Sequence, residues 1–148
     1  MKTPALLALA AALAALPAAA TAAPLVPPFV QGLVKQKAGT VAYVPTRAPF
    51  RYSYLSYSWS ATTRTLTIRL VDRRYTHRAA HTIAFTAARF RGDCTAGNEK
   101  SYQVDGNKTY SAAGVAWRCV NGVKLTAAEP NLPEVALAQV VASGKRVV

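Results

Sequence analysis

From Arg51 to Ala127 apolar side chains recur mostly with a period of two, the pattern of strands that bury one face. In Arg51–Ser60, Leu55, Tyr57 and Trp59 alternate with Tyr52, Tyr54, Ser56 and Ser58, which predicts a strand whose tyrosines Tyr52 and Tyr54 face water. Past a polar loop, Leu66, Ile68 and Leu70 alternate with Thr65, Thr67 and Arg69, the returning arm of a long hairpin. Ile83 and Phe85 mark one more strand, and Thr40–Val44, stopped by Pro45, a short one in front. The stretch Lys100–Ala127 holds two turn dipeptides, Asp105-Gly106 and Asn121-Gly122, each suited to a two-residue hairpin with positive φ. They predict strands over Ser101–Val104, Asn107–Ser111, Val115–Val120 and Val123–Ala127.

A turn at Asn121-Gly122 pairs Cys119 with Lys124 and Trp117 with Thr126, and it sends Val120, Val123 and Leu125 to the opposite face. Both faces are then partly apolar, so either a bulge shifts the register or another element covers the second face. The C-terminus is the obvious cover. Asn131-Leu132-Pro133-Glu134 reads as a helix start, with Asn131 as cap and Glu134 completing a capping box. The helix ends at Gly144 as C-cap, with Lys145 and Arg146 at its negative end and Leu137, Val140 and Val141 as its buried stripe. The expected fold is α+β, a curved antiparallel β-sheet of seven or eight strands with one C-terminal helix packed on it.

Before the strands, residues 1–22 have the form of a secretory signal peptide: Lys2, an apolar core from Ala5 to Leu16, Pro17, and the small-residue site Ala20-Thr21-Ala22. Residues 23–39, with Pro24, Pro27 and Pro28, read as an extended arm, and residues 40–148 as a single disulfide-bonded β-rich domain. Export to an oxidising compartment makes Cys94 and Cys119, the only cysteines, a disulfide rather than a metal site or nucleophile. No transmembrane segment is expected once the leader is removed.

Charge adds the one feature that points to a partner. The chain carries +12, and losing the leader removes only Lys2, which leaves +11. Between Arg47 and Arg91 lie nine arginines, no lysine and a single acid, Asp72. Arginine forks hold phosphate, sulfate and carboxylate well. Arg51, Arg64, Arg69, Arg73, Arg74 and Arg78 are therefore the candidate anion-binding residues, with Tyr52, Tyr54 and Tyr75 among them. An anionic cell-envelope polymer or lipid headgroups is the partner class; export makes nucleic acid a poor one.

A Y-V-P-T segment (Tyr43–Thr46), a long hairpin, the spacing Val104, Gly106, Tyr110, the strand Ala116–Val120 and a closing helix resemble small exported bacterial domains. Those include lipoprotein and anti-sigma-associated modules with a curved antiparallel sheet. The resemblance, over about residues 40–144, implies an extracytoplasmic location and a non-catalytic role in binding or sensing, with no site to carry over. This chain lacks the lipid-attachment cysteine of the lipoproteins.

Catalytic chemistry finds little support. His77 and His81 are four apart, but only Asp72 is close to them in the chain, short of the three or four ligands a zinc site needs. The acids are Asp72, Asp93, Glu99, Asp105, Glu129 and Glu134, and no nucleophile elbow is present. No catalytic residue, metal or cofactor is expected. A secreted small hydrolase, with His77 or His81 beside an acid, and an enzyme inhibitor, using the loop Asp93–Lys100, are the alternatives to a non-enzymatic binding domain.

Overall fold

The computed structural model describes residues 23–148; the signal peptide read over residues 1–22 lies outside them. In chain order the elements are α1 (Pro28–Ala38), β1 (Tyr43–Val44), β2 (Tyr52–Ser60), β3 (Thr65–Asp72), β4 (Thr82–Arg89), β5 (Lys100–Val104) and β6 (Asn107–Ala112). They continue with β7 (Val115–Val120), β8 (Val123–Ala128), α2 (Glu134–Ala142) and β9 (Lys145–Arg146). A seven-stranded antiparallel sheet runs β2-β3-β4-β8-β7-β6-β5, and β1 pairs with β9 in a second small sheet. The fold is α+β, with the C-terminal helix α2 packed on β5 to β8.

The extended arm expected over residues 23–39 is instead largely helical. Pro28 sits at the first helical position, where its missing N–H costs nothing, so the prolines start a helix rather than prevent one. Val26, Val30, Val34 and Ala38 then fall four apart and form a buried stripe packed against β2 and β3. Gly39, with φ +55°, ends it. Two helices therefore lie on the sheet.

Both cover the same face. Leu66, Ile68 and Leu70 of β3 stand opposite Ala87, Phe85 and Ile83 of β4, and these continue through Leu125 and Ala127 of β8 into one buried layer. Leu137, Val140 and Val141 close it from α2. The face of Val123 and Leu125 is thus covered by the C-terminus, with Cys119 opposite Lys124 and Trp117 opposite Thr126.

One correction concerns β2. The ladder with β3 shifts register between Tyr54 and Ser56, so Leu55 is an extra residue that resets the alternation. Tyr52, Tyr54, Tyr57 and Trp59 then all pack on the core side, opposite Asp72, Leu70, Ile68 and Leu66. The outward row is Ser53, Ser56, Ser58 and Ser60.

The turns at Asp105-Gly106 and Asn121-Gly122 have positive φ at both positions, as does a third, Ala113-Gly114, which joins β6 to β7. An alanine at φ +52° carries no turn signal in sequence. The disulfide Cys94–Cys119 spans a Cα–Cα distance of 6.1 Å, and the Trp117 indole donates to the Cys94 carbonyl at 2.6 Å.

The helix signals were real but their roles differ. Asn131 does not cap α2; its amide donates to the Ala80 carbonyl. Glu134 accepts from the Ser111 hydroxyl (2.6 Å) and the Gly114 N–H (3.2 Å), which hold its carboxyl below the usual range and tie α2 to the β6–β7 turn. Lys145 and Arg146 leave the helix and pair with β1. Gly144 has no room for a side chain: a Cβ there would lie 2.7 Å from Leu125 Cδ1 and 3.2 Å from Phe85 Cζ.

The packing sets the direction of three changes in stability. Gly144→Ala should cost about 1–3 kcal/mol in urea unfolding, because Leu125 and Phe85 must move. Gly32→Ala, in α1 with open space around it, should be neutral or stabilising by up to ~1 kcal/mol. Reducing the disulfide, which joins residues 25 apart, should cost roughly 3 kcal/mol, read as a lowered denaturation midpoint.

Candidate anion-binding site

The six candidate arginines do not converge. Arg69 donates to Ser58 Oγ across the open face of the sheet. Arg73 donates to Ser53 Oγ and to the Tyr54 carbonyl, both at 3.0 Å. Arg74 is spent on Asp72, whose buried carboxylate it grips through Nε and Nη2. Arg51 sits at positive φ beside the Phe50 ring, and Arg78 is exposed at the start of a 3-10 turn.

Of the six, Arg64 lines a sizeable cavity, about 440 Å³. It closes the β2–β3 turn at φ +49°, and Lys37 from the end of α1, Arg89 from the end of β4, Thr40 and Trp59 share the cavity with it. An adjoining cavity of about 290 Å³ has Thr40 and Arg89 in common with the first and adds Arg91 and the Asn121-Gly122 turn. Arg89 Nη2 donates to Thr40 Oγ1 at 3.0 Å where the two meet. Neither lining contains an acid. Lys37, Arg64, Arg89 and Arg91 thus line two adjoining cavities with no acid in either lining, a distribution of charge that favours anions.

This groove escaped the sequence reading because its residues come from four separated segments. Lys37 belonged to the supposed arm, and the helical spacing of Val26, Val30, Val34 and Ala38 was the available signal. Arg89 and Arg91 lie in the arginine run, with nothing in the sequence that sets them apart.

The supposed wet tyrosines are elsewhere. Tyr52 donates to Glu129 Oε2 at 2.8 Å, and burial together with that carboxylate holds its phenol above the usual tyrosine range. Glu129 is itself buried and also accepts from the Asn131 N–H at 2.6 Å. Tyr54 packs against the core, and burial pushes its phenol up as well. Only Tyr75 is exposed, stacked on His81 with ring centroids 3.6 Å apart.

A hydrolase would need His81 or His77 to face a free carboxyl such as that of Asp72. Yet Arg74 already bonds both Asp72 oxygens. His77 is exposed, and among the described residues no group of three metal-ligating side chains occurs. The loop Asp93–Lys100 folds on itself, with Glu99 accepting from the Ala96 and Gly97 N–H groups. No helix of the described residues is long and apolar enough to cross a membrane. No family model matches the chain, and no curated protein or solved structure is significantly similar to it.

The Asp72–Arg74 pair has a pH signature. The Arg74 hydrogen bonds, partly offset by burial, hold the Asp72 carboxyl down to about 2, below its ordinary 3.8. A carboxyl depressed in the folded state stabilises above its unfolded pKa, and that stability is lost as pH falls through the folded one. The denaturation midpoint should therefore fall between about pH 4 and pH 2, and Asp72→Asn should remove that part of the slope. An unchanged profile in the variant would reject the pair as its source.

Proposed function

We propose that this chain is an exported, non-enzymatic binding domain that associates with an anionic envelope ligand, wall-type polymer or lipid headgroup, through the groove of Lys37, Arg64, Arg89 and Arg91. One observation carries the reading: these cations meet in adjoining cavities whose linings hold no acid. The leader-like residues 1–22 and the Cys94–Cys119 bridge support an extracytoplasmic setting. The arginines of the open sheet face play a lesser part, since Arg69 and Arg73 already bond serines of β2. The helix that brings Lys37 to the groove also exposes Phe29, at 73 %, and Leu33, a surface suited to lipid contact. The hydrolase alternative asks for a free carboxylate beside a histidine, and Asp72 does not supply one.

Co-sedimentation of the protein lacking residues 1–22 with purified cell wall, and separately with vesicles of mixed anionic and neutral lipid, tests this. Binding should weaken steeply from low to high salt. Arg64→Gln with Arg89→Gln should lower it about tenfold or more, at roughly 1 kcal/mol for each charge. Arg69→Gln with Arg73→Gln should change it less. Equal losses in the two pairs would return the reading to diffuse charge, and no binding at low salt would end it.

A further inference from the structure

Helices α1 and α2 lie on one face of the seven-stranded sheet, and neither crosses to the other. Across that open face one row of side chains runs from Ser58 through Thr67, Thr86 and Thr126 to Trp117 and Tyr110. Hydroxyls fill one half of the row and aromatic rings the other. Beyond Tyr110 and Trp117 strands β6 and β7 part, because their ladder runs only from Tyr110–Trp117 to Ala112–Val115. Lys108 and Lys124 stand on the same face, two residues on from Tyr110 and Thr126.

Rings and lysines interleave here. Tyr110 and Trp117 stack with centroids 6.1 Å apart. Lys124 Nζ lies 5.4 Å from the Trp117 centroid and 4.9 Å from that of Phe90, the residue after β4, and Lys108 Nζ lies 5.8 Å from the Tyr110 centroid. The Trp117 indole is anchored on the Cys94 carbonyl, and the Cys94–Cys119 bridge fixes the loop that supplies it, so the platform is ordered before a ligand arrives. No outward position of the seven strands carries an acid. Asp72 and Glu129 are buried, and Asp105, Glu134 and Glu99 are bonded elsewhere. Asp93, exposed next to Cys94, is one acid against two lysines.

We propose that this open face is a second binding surface, independent of the groove, and that its partner is an acidic polysaccharide whose sugars carry carboxylates. A pyranose ring has an apolar face of C–H groups, which lies flat on an indole or phenol ring, and a rim of hydroxyls. Its carboxylates reach Lys108 and Lys124, and its hydroxyls meet the threonine half of the row. A lipid surface is the poorer partner, since none of the exposed large apolar residues, from Phe29 to Val148, lies in the sheet. A second copy of the chain would set lysine against lysine. Single-stranded nucleic acid stacks on rings too, but the Ser58–Thr126 half of the row offers its bases no ring. The rings and lysines of this face line neither cavity of the groove.

The test is an NMR titration of the whole described chain with a galacturonate oligomer at constant ionic strength, following the backbone amides and the indole N–H signals of Trp117 and Trp59. Saturable shifts should centre on Trp117, Tyr110 and Lys124 and leave Trp59, in the groove, unmoved. Lys108→Gln with Lys124→Gln should weaken the affinity about fivefold. Tyr110→Leu, which keeps an apolar side chain and removes the ring, should weaken it roughly tenfold. Amide signals away from the face report that both variants stay folded, and Arg64→Gln with Arg89→Gln should leave the affinity unchanged. A neutral galactose oligomer should bind more weakly than the acidic one. Shifts centred on Trp59 and lost with Arg64→Gln and Arg89→Gln would move the ligand to the groove, overturning this surface while the groove reading stands. Tighter saturation by a thymidine oligonucleotide would overturn the choice of ligand, and linear shifts or none would overturn the site.

Discussion

Water has to be kept from one face of the seven-stranded sheet, which is apolar across β3, β4 and β8, and the sheet cannot do this for itself. Leu66, Ile68, Leu70, Ile83, Phe85 and Leu125 are fully buried because elements from both ends of the chain lie over them. Helix α1 covers the β2–β3 side and α2 the β5–β8 side. Gly144 brings the chain end against Leu125 and Phe85, closer than any side chain would allow. At one end of the layer Tyr52 and Glu129 seal the core with a hydrogen bond, so a buried carboxylate is satisfied without a cation.

The candidate groove is a consequence of that cover. Burying Val34 and Ala38 fixes the last turn of α1 over β2, which delivers Lys37 to Trp59 and Arg64. At the other side, the polar groups of the parted strands turn to the end of α2: Asn107 bonds the Ala142 carbonyl and Arg118 that of Gly144. The candidate groove lies where a helix end meets strand ends, a place in this fold where backbone regularity stops and side chains from distant segments meet.

Net charge is a poor guide to which arginines are free. Arg74 neutralises a buried aspartate that would otherwise be costly, and its own side chain is still 48 % exposed. Arg69 and Arg73 bond serines of the outward row of β2. What distinguishes Arg64, Arg89 and Arg91 is the lack of any acid in the cavities they line.

Local signals were enough for much of this fold. Alternating Leu66, Ile68, Leu70 specified β3 and its buried face, the Asp-Gly and Asn-Gly dipeptides set two hairpins and the register of Cys119 with Lys124, and Leu137, Val140 and Val141 announced a buried helix. Each is a property of neighbours in the chain, so it can be read without knowing the partner. The single extra residue at Leu55, the helical role of Pro28 and the meeting of Lys37, Arg64 and Arg89 were not readable in that way. A bulge is chosen by whether Tyr52 and Tyr54 gain more from the core than from water, and a four-residue apolar spacing becomes a helix only when a sheet is there to bury it. The arginines were visible from the start; their convergence depended on contacts between residues more than twenty positions apart, and only the tertiary structure decides those.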